Sequence, residues 1–325
     1  MTNNLLRIDN TKRSAASTCL RLYYWRHVRF LQPTYGSTAL RYGIVWHEAM
    51  DAYYSYIARY GWTRDGKALE AAVRAAHQEW EHQSLTGQFY EDYRNLPNLL
   101  TSLLRFVSHF ATDEGMLTIL DSERVFECSI CPTETECSAF PGLRPFTFTG
   151  IIDLIVNMSG MLWILDHKTT GQPLYTQVDR LNRSAQFKGY WYATKQITRE
   201  HIAGFLVCFH HLSCYKRKDG SYGDPKIDFQ RSPQIYTDTD LISWKQSLLE
   251  TVWRIQNAYR SNIWPCNDDS CYNYGRCSFA TLCEQNRPLG EENLDGFHEA
   301  DPWDVKAETA RKDSQREKIL KEVKG

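Results

Sequence analysis

Two apolar strands that carry acids near their ends constrain this chain more than any other feature. The stretch from Gly150 to Thr170 reads GIIDLIVNMSGMLWILDHKTT. Ile151-Ile152 and Trp163-Ile164-Leu165 mark central, buried strands, and the Met-Ser-Gly between them marks a tight turn. Side chains alternate along a strand, so Asp166 and Lys168 share a face while His167 points away. The hairpin return brings Asp153 close to Asp166. Carboxylates at the mouth of such a sheet are costly to bury without a cation. Two carboxylates and a lysine so placed can hold a divalent metal and a water beside a phosphodiester. Taken alone, the D-x-K triplet reads more readily as a surface ion pair, which is common and weak.

Length and composition set broad limits. The 325 residues suffice for one elaborated domain or two small ones. Hydrophobic content of 42% supports a real core and argues against wholesale disorder. A net charge of -1 gives no global positive field to announce a nucleic-acid partner. Local charge differs. Residues 1–45 hold seven Lys or Arg and one acidic residue, whereas residues 291–325 hold ten acidic and seven basic residues. Tyr23, Tyr24 and Trp25 interleave the basic stretch. They suit either base stacking along a single strand or packing of the first helix on the sheet.

The ten cysteines are a second signal. The opening MTNNLLRIDN lacks an apolar core segment, and no run approaches a membrane span. The expectation is an intracellular, cytoplasmic chain whose cysteines ligate metal before they form disulfides. Cys271-x5-Cys277-x5-Cys283 sits in a short segment with Gly and Asn, Cys266 lies just before it, and Cys19 lies near the other end. Thiolate sulfur suits an iron–sulfur cluster or zinc. Cys128, Cys131 and Cys137 also have metal-like spacing, but positions three apart on a strand face opposite sides, so these read as structural thiols. Cys208 and Cys214 read as strand residues.

Periodicity and breakers give a coarse order. Helices are expected over about 11–30, 42–60, 65–82 and 91–112, then strands over about 121–131, 145–157 and 161–168. A helix over about 183–198, a strand over about 202–213 and a further strand before Tyr236 follow. Asp238 or Thr239 is expected to cap a long helix to about Arg260, with Leu241, Trp244, Leu248, Val252 and Ile255 on one stripe. The tail from about 290 reads as a charged, solvated helix.

Four stretches in order resemble the PD-(D/E)XK nuclease superfamily, in particular its RecB-like exonuclease branch, which includes the CRISPR-associated RecB-like exonucleases. Gly43 to His47 looks like that branch's G-x-x-x-H helix, Gly150 to Asp153 its G-x-x-D strand, Asp166-His167-Lys168 its D-x-K, and Gln186 to Tyr190 its Q-x-x-x-Y helix. The resemblance covers roughly residues 15–285. It implies an α/β fold with a restriction-endonuclease-like core: a central mixed β-sheet flanked by helices, with an inserted helical subdomain at about 44–120 and a C-terminal Fe–S segment at about 264–285. Residues 1–290 form the nuclease domain on this reading, and 291–325 a charged C-terminal tail.

The resemblance also implies roles. His47, Asp153, Asp166 and the backbone carbonyl of His167 would hold Mg²⁺ or Mn²⁺. Lys168 would steady the attacking water or the developing charge, and Gln186 and Tyr190 would hold phosphate or water. Cys19, Cys271, Cys277 and Cys283 would bind a [4Fe–4S] cluster that staples the two ends, with zinc as the alternative metal and Cys266 as the alternative fourth ligand. The commoner spacing of that staple is C-x2-C-x5-C, from which this chain departs. The implied activity is a metal-dependent deoxyribonuclease, an exonuclease on single strands or duplex ends. The alternative is a DNA-end-binding subunit of a helicase or of a recombination or integration complex, with weak or conditional cleavage. No Walker-type loop appears, so ATP-driven unwinding would come from another chain.

Overall fold

The computed structural model of the protein describes residues 5–273, 275–302 and 304–324. The chain begins with β1 (Leu6–Ile8), α1 (Asn10–Thr18), α2 (Leu20–Tyr23), β2 (Leu31–Pro33), α3 (Thr38–Tyr60), α4 (Lys67–Thr86), α5 (Leu96–His109) and α6 (Asp113–Met116). It continues with β3 (Leu117–Ile130), α7 (Glu134–Ala139), β4 (Phe146–Met158), β5 (Met161–Thr170), α8 (Leu174–Leu181), α9 (Ala185–Thr198), β6 (Ile202–Ser213) and β7 (Lys226–Gln234). Then come α10 (Asp238–Ser261), α11 (Ala280–Cys283), β8 (Phe297–Glu299) and α12 (Val305–Lys324). The main sheet is mixed and runs β1-β4-β5-β6-β7, with β3 also on β4, and helices flank it. This is the α/β, restriction-endonuclease-like architecture expected. Among the described residues no helix is long and apolar enough to cross a membrane.

The chain divides into two compact units. The first comprises Met1–Tyr35, Glu127–Gly150 and Thr237–Asp304. In it β1 runs parallel to the start of β4, Leu6 opposite Phe146. The expected stripe of α10 is buried throughout, and Trp244 meets Phe148 edge-on at 5.3 Å. The α10 cap is Thr237, one or two residues before the expected Asp238 or Thr239. Thr237 accepts the Asp240 N–H, and the Asp240 carboxylate returns to the Thr237 N–H, a capping box. The expected single helix over 11–30 is broken at Cys19, whose φ of -164° and ψ of 124° are extended. Tyr23, Tyr24 and Trp25 are buried, and Tyr23 stacks on Trp264. They pack the N-terminal helices and are not free to stack on bases.

The second unit comprises Gly36–Phe126, Ile151–Tyr236 and Val305–Gly325. Here β4 and β5 are antiparallel, β5 and β6 parallel, and β6 and β7 antiparallel, so β5 is central. The turn between β4 and β5 places Ser159 (φ 55°) and Gly160 (φ 79°) in the left-handed region, the geometry of a two-residue hairpin loop. The Trp163 indole covers Gly204 on β6, where an added Cβ would come within 2.1 Å of it. Only glycine permits that approach. Helices α3, α4 and α5 bury one apolar mass on the sheet, with Trp46, Tyr54, Leu103 and Phe106 at its centre. Helix α12 joins that core through Ile319, Leu320 and Val323. The sequence reading treats this helix as solvated; a short apolar stripe in a charged helix was enough to dock it.

Candidate active site

The acids stand where the β4–β5 hairpin opens. Its ladder pairs Leu154 with Leu165 through Met158 with Met161. Directly beyond, Asp153 reaches across with its side chain, and its Oδ2 accepts the His167 N–H at 2.9 Å. The same oxygen lies 3.1 Å from His47 Nδ1 on α3. Asp166 is buried, with Lys168 Nζ 2.6 Å from its Oδ2. That contact is a short, charge-assisted pair, and Asp166 Oδ1 has no partner in hydrogen-bonding geometry among the described residues. Lys168 Nζ also lies 3.4 Å from the His167 carbonyl oxygen. Gly43 and His47 are one helical turn apart on α3. A Cβ at Gly43 would sit 3.2 Å from Thr169 Oγ1, so the glycine lets the helix approach the end of β5.

Burial drives the electrostatics, and nearby charge sorts the outcome. For Asp153, burial is outweighed by the His47 imidazole and by Lys168, and its carboxyl is held well below the usual range. For Asp166, burial wins over Lys168, with the negative charge of Asp153 adding to it, and its carboxyl is pushed up to about 6. Burial works against the Lys168 ammonium, but Asp166 and Asp153 outweigh it and raise its pKa, so it stays charged. The His167 ring is buried against Tyr54 and Phe106, and desolvation lowers it to about 3. It faces the core and stays neutral.

Helix α9 supplies the neutral side of the site. Ser184 caps it by accepting the Phe187 N–H. Gln186 Nε2 donates to Tyr190 Oη at 3.1 Å, one turn along the same face. Lys168 Nζ lies 5.5 Å from the centre of the Phe187 ring. Lys188 turns the other way, over Tyr236.

A family model of the PD-(D/E)XK nuclease superfamily matches residues 11–284, most of the chain. The protein belongs to that superfamily. It is therefore a metal-dependent nuclease, a hydrolase of nucleic-acid phosphodiesters that uses divalent ions such as Mg²⁺ or Mn²⁺, and the family implies DNA as substrate. No curated protein matches the chain. Among solved structures, one described as "Crystal structure of SSO0001" aligns over 86% of this chain and 98% of its own. It shares 11% identity at a TM-score of 0.28, too loose a likeness to decide anything.

The carboxylates of this nuclease fit a divalent ion in one respect above all. A buried acid lifted by desolvation, with Oδ1 unpartnered and Oδ2 held by Lys168 alone, is stabilised by a further cation. Among the described residues, no three His, Cys, Asp or Glu converge closely enough to hold a metal ion as they stand. Asp153 is engaged by His47 and His167, and Asp166 by Lys168.

Three further groups border the site, Glu48, Glu123 and Lys312, and no sequence motif marks them. Glu123 on β3 has a φ of 50°, unusual for a residue with a Cβ, and lines a cavity of about 10 Å³ with His47, Asp153 and His167. Lys312 on α12 lies 3.6 Å from Glu123 and pairs with Glu48, the neighbour of His47. Burial raises both glutamates, with Lys312 opposing. The pairing joins residues some 190 and 260 positions apart, and no local signal in the sequence marks it.

The cysteines of the first unit also gather. The extended break at Cys19 turns its thiol toward the segment after α10, where the Asn267 N–H donates to Cys19 Sγ at 3.3 Å. Cys19, Cys266, Cys271, Cys277 and Cys283 line one cavity of about 210 Å³, with Trp25 beside them. Cys266 and Cys283 are 3.9 Å apart at sulfur. Burial pushes the Cys283 thiol up to about 11. All ten cysteines are free of disulfides. Cys128 is buried on β3, Cys131 exposed beyond its end, and Cys137 half-buried on α7.

Proposed function

We propose that this nuclease is an exonuclease that hydrolyses DNA from single-stranded or duplex ends, with its centre at His47, Asp153, Asp166 and Lys168. The buried Asp166 carboxylate, with Oδ1 unpartnered, Oδ2 against Lys168 and Asp153 beside it, carries this reading. His47, Asp153, Asp166 and the His167 carbonyl would hold the divalent ion. Bound there, Mg²⁺ or Mn²⁺ supplies a water of lowered pKa and positive charge for the transition state. The residues do the rest. Lys168 stays an ammonium between the acids and can donate to an attacking water or to a phosphoryl oxygen. Gln186 and Tyr190 present neutral donors from α9 toward the same phosphate. Asp153, held ionised, keeps His47 and the His167 amide oriented.

The same reading gives the cysteine cavity a [4Fe–4S] cluster held by Cys19, Cys271, Cys277 and Cys283. That several cysteines from both ends of the first unit line one cavity supports the reading, with zinc as the alternative metal. Cys266, on the same cavity and close to Cys283, is the competing fourth ligand.

Labelled oligonucleotides blocked at the 5′ end, the 3′ end or both, with Mn²⁺, Mg²⁺ or chelator, test the activity. Cleavage should need the ion and one free end. Equal cleavage of a circular single strand would overturn the exonuclease assignment.

A further inference from the structure

Behind the candidate centre lies a second group of acids whose counter-charges come from one helix. Glu48, Asp51 and Glu79 on α3 and α4, and Glu123 on β3, have side chains that are 11%, 5%, 4% and 12% exposed. Each meets a cation from α12. Lys312 pairs with Glu48 and lies 3.6 Å from Glu123. Arg316 Nη1 lies 3.0 Å from Asp51 Oδ2, and Arg311 Nη1 lies 3.6 Å from Glu79 Oε2. Without α12 these acids would be buried and uncompensated, a state that proteins avoid by protonation or by taking up a cation.

The group is continuous with the candidate centre. Glu123 and Asp51 line the small cavity that His47 and Asp153 also line. Glu48 follows His47 in the chain and faces Lys312. Glu123 thus borders both the Lys312 ammonium and the cavity of His47 and Asp153. Paired metal sites in phosphodiester hydrolysis stand about 3.5–4 Å apart. In this chain the carboxylates next to that cavity already face a charge: the Lys312 ammonium, compact, with three donors and a flexible stem anchored on a docked helix.

We propose that Lys312 is a tethered cation standing where a second divalent ion would otherwise bind, between Glu48 and Glu123, so that the centre works with one divalent ion. This rests on the metal centre proposed above. Lys312 is then a positioning residue, which holds the two glutamates off the metal and supplies charge that chelators cannot remove. A second divalent ion arriving beside it would meet like charge at close range.

The test counts ions. Full-length protein stripped with chelator is titrated with Mn²⁺, and free Mn²⁺ is followed by electron paramagnetic resonance. Wild type should bind one equivalent tightly, and Lys312→Met one more than wild type. Lys312→Met combined with Glu123→Gln should lose the added ion. Folded Lys312→Met with the wild-type count overturns the proposal. Should Lys312→Met fail to fold, Glu123→Gln alone decides. An unchanged count of one supports the proposal; a wild-type count of two that falls to one in Glu123→Gln overturns it. Failure of the metal centre itself looks different, because wild-type Mn²⁺ binding would then survive Asp166→Ala.

Discussion

The carboxylate centre and the cysteine cavity are built in opposite ways. Asp153, Asp166 and Lys168 project from long paired strands, and β5 has a strand on each side. His47 comes from a helix of 23 residues. Their positions follow from a packed core that needs no ligand. The cysteine segment has almost no regular structure: a turn at Asp268–Ser270 and the four-residue α11. Its thiols surround space. In one region the fold makes the site; in the other, the site's occupant would have to hold the fold. Substitutions should therefore cost rate in the first region and stability in the second.

A large effect on rate is expected from Lys168. Lys168→Ala should slow metal-dependent cleavage by about 10²–10³-fold, the usual range for removing one donor to a developing charge. Its melting temperature should barely move. A large drop in melting temperature with little loss of rate would invert the contrast.

The next concerns the thiols. If Cys19 ligates with the C-terminal cysteines, it closes a chain loop of more than 250 residues. Such a link should stabilise by about 3–5 kcal/mol if it behaves like a cross-link of that span. Cys19→Ser should lose the bound iron and melt at much lower temperature, with the nuclease residues untouched. Iron analysis and calorimetry of Cys19→Ser beside Cys266→Ser decide between them. A Cys19→Ser protein that keeps its iron and melting temperature makes Cys266 the ligand.

A smaller effect tests how dry the core behind the acids is. His210 on β6 is buried between Trp46 and Phe229, with Nε2 3.0 Å from Ser102 Oγ, and burial lowers it to about 3. The unfolded chain takes up this proton near pH 6.5 and the folded chain does not. Stability from this residue is thus complete above about pH 6.5 and lost as pH falls toward 3, by about 1.4 kcal/mol per pH unit. Denaturant melts of His210→Phe should show a slope against pH lower by about one proton in that window. An unchanged slope would mean that water reaches His210.

The smallest effect lies in the first unit. Thr237→Ala removes the capping box of α10 and should cost about 1 kcal/mol in urea melts, without moving the cleavage rate. A change in rate would show that this helix end contributes to catalysis.

What could be read from the sequence follows the range of the interactions. Asp166 and Lys168 share a face because strand alternation is local, and Gln186 and Tyr190 lie together because helical spacing is local. The stripe of α10 was legible for the same reason. Beyond reach were features set by distant partners. The three-residue β1 exists because β4 offers it a parallel edge. The break at Cys19 falls within a pattern that is otherwise helical. Helix α12 looks solvated by composition, yet Ile319, Leu320 and Val323 suffice to dock it. Docking then delivers Lys312 to Glu48 and Glu123, a contact that no spacing rule encodes.

The most direct test is Asp166→Ala, with Mn²⁺-dependent cleavage of an end-labelled single strand and the melting temperature measured on the same sample. The expected result is a rate more than about 10³-fold below wild type, with DNA binding and melting temperature retained, because a charge is removed from a strand that the core already holds. A rate within about tenfold of wild type, in the folded and metal-dependent protein, would contradict the assignment.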